Sequence, residues 1–396
     1  MRLNRIQTIG ELRRLARRRL PRIVYDYIEG GAGDERGLAA SSRQYADYRI
    51  APRYLVDVSA RTQETRLFGR AFKSPFGIAP TGYAGIYRAK GEEILAAAAS
   101  AAGIPCIVSG SSVASIETVS RVAGGGHLWF QLYAARDTRI SIDLLRRAKD
   151  CGIETLVVTV DLPIFGRRYR DVRNGFQIPP RISPSLIWDA ASHPGWTLDY
   201  LKAGGIPAPG NWIPYAREGA TPVEVATVMH ENTTAPLRWS DIETFRRQWR
   251  GNLVLKGILH PEDAVKAAAI GVDGLIVSNH GGRQFDRAPT ATEALPAIVA
   301  AVGGRLTVMA DGGITQGSDV LVAFALGAKF VFTGRATLWG LAAAGLPGVD
   351  RALSILRDEV HAGLAHIGAL GMPDVNLATA RPGTAWACVC PRAWTG

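Results

Sequence analysis

The sequence, 396 residues long, predicts a (β/α)8 TIM barrel, an α/β fold. Three observations predict it. Eight short apolar runs recur along the chain: Phe76–Ala79, Ile104–Ser109, Leu128–Leu132, Thr155–Val160, Leu253–Lys256, Gly274–Ser278, Leu306–Ala310 and Phe330–Thr333. Several are continuous in Val, Ile and Leu rather than alternating, as strands buried on both faces must be. Helix-like stretches lie between them, among them Glu92–Ala102, Ile140–Cys151, Ala264–Gly271 and Gly317–Gly327, giving the alternation of a parallel sheet. A doubly wound open sheet shares that alternation. It would also carry a Gly-x-Gly-x-x-Gly turn after an early strand, and no such turn follows one here.

At roughly 100–200 residues per domain, the length permits two or three ordinary domains or one large barrel with additions. The runs favour a single unit over 1–396: an N-terminal extension (1–74), a barrel (75–345), and a C-terminal helix with a tail (346–396). Apolar residues make up 47% and charged residues 20%, which excludes a disordered, collagen-like or coiled-coil chain. The 44 glycines follow no three-residue period and mark turns and close backbone–ligand approach. Cys106, Cys151, Cys388 and Cys390 are too few and scattered for a disulfide scaffold and suit a cytoplasmic, reducing setting. The Cys388-x-Cys390 pair lacks a second pair or a nearby His, so no metal site is expected. No run of about 18 apolar residues is present, so no membrane-spanning helix is expected.

From the N-terminus, residues 1–25 read as an amphipathic helix with Ile9, Leu12, Leu15 and Ala16 on one side. The same residues hold eight Arg and one acid, Glu11, within a net charge of +11. That patch suits an anionic surface such as the inner face of a membrane, or a solvated helix face. No aromatic platform or nucleic-acid motif accompanies it, so nucleic acid is not an expected partner. Leu20-Pro21 ends the helix, because a residue before Pro disfavours the α conformation. A second helix, Ile23 to Ile28, is closed by Gly30-Gly31.

The barrel follows, and in such a barrel functional residues sit at the C-terminal strand ends. Those ends read Pro80-Thr81-Gly82, Ser109, Gln131 with Tyr133, Thr159 with Asp161, Lys256, Ser278-Asn279-His280, Asp311-Gly312-Gly313 and Gly334-Arg335. A polar set at eight consecutive strand ends points to catalysis. Between the fourth and fifth runs lies an insertion, 166–239, far longer than a usual loop. It holds nine of the 22 prolines within 176–236, plus Trp188, Trp196 and Trp212. Helix and sheet are poorly supported there; a lid, a membrane-contact segment and a disordered loop are the three readings. In Ser278-Asn279-His280-Gly281-Gly282-Arg283, His280 just past a buried strand suits a general base. Arg283 offers a planar fork for a carboxylate. Asp311-Gly312-Gly313 and Gly334-Arg335, after the seventh and eighth runs, form the usual phosphate pocket of the barrel, so a phosphate-bearing cofactor is expected.

These residues belong to longer blocks: LPRIVYDYIEGGAGDE (20–35), APTGYAGIYRAKGE (79–92), WFQLY (129–133), TVDLP…GRRYRD (159–171), LVLKGIL (253–259), SNHGGRQFD (278–286) and ADGGI…GSDV…ALGAKFVFTGRATLWGLA (310–342). Together they resemble the FMN-dependent α-hydroxy-acid oxidases and dehydrogenases, a family that includes glycolate oxidase, L-lactate dehydrogenase and mandelate dehydrogenase. The resemblance runs from about residue 6 to about residue 370. It implies oxidation of an L-2-hydroxy acid to the 2-oxo acid, with FMN as cofactor and flavin N5 accepting the hydride.

By that resemblance His280 is the proton acceptor, taking either the α-hydroxyl proton or, in the family's rival account, the C2 proton. Asp161 orients it, although Arg167 and Arg168 are alternative partners for Asp161. Arg283 and Arg168 hold the substrate carboxylate. Tyr27 and Tyr133 hydrogen-bond the carboxylate and the reacting oxygen; Tyr27 could instead only plug the barrel. Lys256 sits by the flavin N1/O2 edge, and the flavin is its expected partner in burial. Ser109, Gln131, Thr159 and Ser278, with the backbone of Pro80, Thr81 and Gly82, bind the ring and ribityl chain. Asp311, Gly312, Gly313, Gly334 and Arg335 hold the ribityl and phosphate groups. A homotetramer is also implied.

Departures and alternatives sharpen the reading. After Asp-Gly-Gly the family commonly has Ile-Arg; here Thr315 replaces that Arg. The stretch 373–396 resembles nothing in the family. An IMP-dehydrogenase-like barrel would need a loop nucleophilic Cys, and none lies after the sixth or seventh run. A non-catalytic flavin scaffold is the reading from another class. Gly82 stands where oxygen-using relatives often carry Ala, which favours a quinone-type acceptor over oxygen. Tyr83, Gly110, Ser111, Phe165 and the insertion surround the C2 substituent. The small Gly110 and Ser111 leave room for lactate or larger, aromatic acids.

Overall fold

The computed structural model describes residues 3–123, 127–176, 183–233, 236–376 and, in backbone only, 380–382. The reading of Cys388 and Cys390 falls outside the described residues. Three helices open the chain: α1 (Ile9–Arg19), α2 (Arg22–Glu29) and α3 (Arg36–Arg43). Thr8 and Glu11 cap α1 reciprocally, and its Ile9, Leu12 and Ala16 are buried, as the periodicity predicts. Helix α2 ends at Gly30, but with φ −66° rather than in a left-handed turn. Close approach explains the two glycines instead: a Cβ on Gly30 would sit 2.8 Å from the Asp26 carbonyl oxygen, and one on Gly31 would sit 2.9 Å from that of Gly282.

Eight parallel strands close into a barrel: β1 (Phe76–Ile78), β2 (Cys106–Ser109), β3 (Leu128–Leu132), β4 (Thr155–Thr159), β5 (Asn252–Ile258), β6 (Gly274–Val277), β7 (Thr307–Asp311) and β8 (Val331–Thr333). Neighbours follow chain order, and β8 closes onto β1 through Val331↔Phe76 and Thr333↔Ile78. The barrel interior is layered by the two-residue period of the strands. Ile107, Trp129, Val157, Val254, Ile276 and Met309 pack together with Phe330 and Phe332. Two residues further along from the first six of these, on or just after β2 to β7, stand Ser109, Gln131, Thr159, Lys256, Ser278 and Asp311, all buried. An apolar layer is thus overlaid by a polar one at the C-terminal end. A hairpin of Thr65–Leu67 and Arg70–Phe72 closes the other end, with Phe72 edge-on to Phe330.

Helices α4 (Gly91–Ala102), α5 (Ile116–Ala123) and α6 (Thr138–Asp150) follow the first three strands. The insertion then supplies α7 (Tyr169–Arg173), α8 (Pro184–Ala191), α9 (Pro194–Lys202) and α10 (Pro222–Asn232). This corrects the expectation that its prolines exclude helix. Pro184, Pro194 and Pro222 open their helices, where a missing N–H costs nothing. Asn211 and Trp212, both buried, tie the insertion to the loop after β2. Asn211 Oδ1 accepts from Ile116 N at 2.8 Å, and Trp212 Nε1 donates to the Gly110 carbonyl at 3.1 Å. The outer ring is completed by α11 (Trp239–Gln248), α12 (Pro261–Ile270), α13 (Ala291–Val302), α14 (Gly317–Ala325), α15 (Arg335–Ala344) and α16 (Leu346–Ile367).

Candidate active site

The C-terminal strand ends open into one cavity of about 950 Å³. It is lined by Tyr27, Pro80, Thr81, Gly82, Tyr133, Arg168, Lys256, His280, Arg283, Asp311, Gly312, Gly313, Gly334 and Arg335. Ser109, Gln131, Thr159 and Ser278 belong to the buried polar layer, and Asp161 stands behind His280.

His280 leaves β6 with φ +59°, a conformation few residues other than Gly adopt. Its N–H donates to Ser278 Oγ at 3.0 Å. Its Nδ1 lies 3.0 and 3.1 Å from the two Asp161 oxygens, and its Nε2 lies 3.4 Å from the Tyr133 hydroxyl. A proton on Nδ1, held by the carboxylate, leaves the Nε2 lone pair facing Tyr133. Asp161 therefore pairs with His280, not with Arg167 or Arg168. Burial pushes the Asp161 carboxyl up. The charge and hydrogen bond of His280, with Lys256, outweigh that and hold it below its ordinary value. Burial, then the Asp161 charge, pushes the Tyr133 phenol far up, keeping it a donor.

Gly257 makes this pairing sterically feasible. It sits at a bulge in β5 with φ +103°, and a Cβ there would lie 2.5 Å from Asp161 Cγ. Next to it, Lys256 Nζ lies 2.9 Å from Ser278 Oγ and 3.0 Å from Asp311 Oδ2. The expectation that a flavin alone would offset the burial of this cation is corrected: Asp311 does so within the protein.

Two guanidiniums face the Tyr27 ring, Arg283 at 5.0 Å and Arg168 at 5.3 Å from its centroid. Phe176 stacks on the same ring at 4.2 Å. Tyr27 thus lines the site and is no plug. Arg283 Nη1 donates to the Tyr27 and Gly30 carbonyls at 2.7 and 3.0 Å, leaving Nε and Nη2 without a hydrogen-bond partner among the described residues. Burial, then Arg168, lowers the Arg283 guanidinium. Two cations so placed favour a bound carboxylate. Arg168 is steadied by Asp171 at 2.9 Å.

Arg335 donates to the Ile28, Gly281 and Gly30 carbonyls at 2.9, 3.1 and 3.2 Å. Three of its five N–H groups are used there, and two remain. Burial, then the charge of Arg283, pulls it down to about 10. A buried cation with free donors, beside Gly312, Gly313 and Gly334, suits a phosphate. The polar layer also waits for a ligand: Gln131 Nε2, Thr159 Oγ1 and Asp311 Oδ1 are buried without a partner among the described residues. Ser109 Oγ donates to Gln131 Oε1 at 3.0 Å, which fixes the Gln131 amide with its nitrogen left over. Thr315 spends its N–H on Asp319 Oδ2 at 2.8 Å, capping α14.

Some residues of the candidate site escaped the sequence reading. Asp171 was visible in principle, three residues after Arg168 on one helix turn. Phe176, Met229 and His230 gave no signal, because they lie in the proline-rich segment. His230 stacks on Phe165 at 4.4 Å, and Met229 Sδ lies 4.0 Å from the Tyr83 hydroxyl.

The groups at the barrel mouth suit a phosphate-bearing cofactor and a carboxylate substrate beside a base, which a cofactor-dependent oxidoreductase requires. Residues 16–381 match the family described as FMN-dependent dehydrogenase. The chain belongs to that family, and FMN is its cofactor. The match ends later than the expected limit near residue 370. The chain is 43% identical to an L-lactate dehydrogenase of Caulobacter sp. (strain K31) over 371 residues, 94% of this chain and 97% of the relative. It is 40% identical to an (S)-mandelate dehydrogenase of Pseudomonas putida over 368 residues, 93% of this chain and 91% of the relative. Among solved structures, a monotopic membrane protein, (S)-mandelate dehydrogenase, superposes with a TM-score of 0.91 at 38% identity, covering 96% of this chain and 100% of that one.

Proposed function

We propose that the protein oxidises an L-2-hydroxy acid, lactate-like or larger, to the 2-oxo acid. The observation that carries this reading is the Asp161–His280–Tyr133 line opening into the same cavity as the Arg168–Arg283 pair. When bound, FMN supplies the two-electron acceptor. The substrate carboxylate bridges the free edge of Arg283 and Arg168, with Tyr27 beside it. Nε2 of His280 takes the proton, and Asp161 stabilises the imidazolium that results. Tyr133 donates to the reacting oxygen. Ser109, Gln131, Thr159, Lys256 and Ser278, with the Pro80–Gly82 backbone, would hold the ring and ribityl chain. Asp311, Gly312, Gly313, Gly334 and Arg335 would hold the ribityl end and phosphate.

The acceptor is quinone-like, and the protein docks on a membrane surface to meet it. Gly82 supports the first point. The second rests on exposed Ile187, Trp188, Leu198 and Leu201 on α8 and α9, beside the arginine-rich N-terminal helix; two weak attachments anchor better than one. Anaerobic addition of L-lactate or (S)-mandelate should bleach the flavin, and a soluble quinone should restore it faster than air. No bleaching by any 2-hydroxy acid would refute the reaction. Rapid peroxide formation with no gain from quinone would refute the acceptor.

Two substitutions probe the site from its edges. Gly257→Ala should lower kcat about tenfold or more with FMN retained, since its Cβ displaces Asp161 and misaligns His280; a misplaced base loses alignment as well as strength. An unchanged pH–rate profile would show that Asp161 had not moved. Thr315→Arg should tighten FMN, measured as the dissociation constant by flavin fluorescence; weaker binding would mean that Thr315 does not face the phosphate.

A further inference from the structure

The cavity has polar groups that neither carboxylate binding nor proton transfer uses. Tyr83 follows Gly82 with φ +55°, and its N–H donates to the Ser111 carbonyl at 3.1 Å. This unfavourable backbone conformation carries its ring into the cavity wall. Among the described residues its hydroxyl meets only the Met229 thioether, at 4.0 Å, a weak acceptor. Thr233, at the end of the same helix as Met229, is 4% exposed and lines the same cavity. Its Oγ1 is buried without a hydrogen-bond partner among the described residues. His230 stands between them in sequence, stacked on Phe165 at the cavity wall, with no hydrogen bond to its ring among the described residues. Leaving a buried hydroxyl such as that of Thr233 unsatisfied is costly, and a thioether is a poor partner for a phenol, so these groups suit a ligand that completes them.

These groups line the same cavity as the two arginines. Tyr83 comes from the loop after β1, and Met229, His230 and Thr233 come from α10 and its end. The wall around the C2 substituent is therefore shared between barrel and insertion.

We propose that Tyr83, with Thr233 and His230, forms a polar subsite that selects 2-hydroxy acids whose C2 substituent ends in a hydrogen-bonding group such as a phenolic hydroxyl. This rests on the reaction proposed above. The aromatic character of Phe165, Tyr83 and His230 suits a ring between C2 and that hydroxyl. A site built to hydrogen-bond a hydroxyl discriminates strongly against the analogue that lacks it.

The test compares kcat/KM for isosteric pairs: (S)-4-hydroxymandelate against (S)-4-methylmandelate, and the 3-(4-hydroxyphenyl) against the 3-(4-methylphenyl) derivative of L-2-hydroxypropanoate. The wild-type enzyme should favour the hydroxyl member of at least one pair by tenfold or more. In Tyr83→Phe the same ratio should fall to within about threefold of unity. His230→Leu should reduce it in the same direction; an unchanged ratio would remove His230 from the subsite. The flavin spectrum of each variant verifies folding, and the ratio is independent of the fraction of active enzyme. Equal rates within both pairs for the wild type, or a preference that survives Tyr83→Phe, would overturn the proposal. Failure of every acid to bleach the flavin would instead overturn the reaction itself.

Discussion

His280→Gln is expected to keep FMN bound and to slow its anaerobic reduction by 2-hydroxy acid roughly 10²–10⁴-fold. Gln fills similar space but offers no basic nitrogen where Nε2 lies 3.4 Å from Tyr133. It also cannot become the cation that Asp161 is placed to stabilise at 3.0 Å. Stopped-flow absorbance at the flavin band reads the rate. Reduction within a few-fold of wild type would remove His280 from the reaction.

Arg283→Lys is expected to lower kcat/KM about a hundredfold or more, because breaking a buried charge contact costs about 2–5 kcal/mol. The guanidinium serves two clients at once. Nη1 holds the Tyr27 and Gly30 carbonyls at 2.7 and 3.0 Å, and the other edge is free for the substrate. An ammonium group is a point charge and cannot span both. KM should rise more than kcat falls, since the lost contact exists in the ground state too. The loop between α2 and α3 should also loosen, which protection of the Gly30 and Gly31 amides from hydrogen exchange would report. A conservative response of less than fivefold would show that Arg168 alone carries the carboxylate.

The barrel was legible because its strands are buried on both faces and so leave uninterrupted apolar runs. The polar layer was legible because each of its members stands at or within one residue of the end of such a run; Lys256 after Leu253–Leu255 is the clearest example. His280 and Arg283 announced themselves through the glycines between them. The partners of these groups were harder to read. Asp311 beside Lys256 and Asp171 beside Arg168 are set by three-dimensional approach, and either acid had other plausible uses. The insertion misled for a definite reason. Proline was weighed as a helix breaker, but Pro184, Pro194 and Pro222 each stand at a first helical position. Met229 and His230 then enter the cavity from a helix that the reading left unassigned.

The insertion also has a practical division of labour. Exposed Ile187, Trp188, Leu198 and Leu201 fall within α8 and α9, although Trp196 of α9 is buried and donates to the Ile86 carbonyl at 2.8 Å, while Asn211, Trp212 and α10 lock onto the barrel and wall the cavity. A protein engineer seeking to weaken the proposed surface contact can therefore leave the chain uncut and make these four exposed residues polar. Trp196, and Asp189 and Asp199, which hold Arg22 and Arg19, should stay. The outward faces of α8 and α9 can then be redrawn without touching the wall of the cavity.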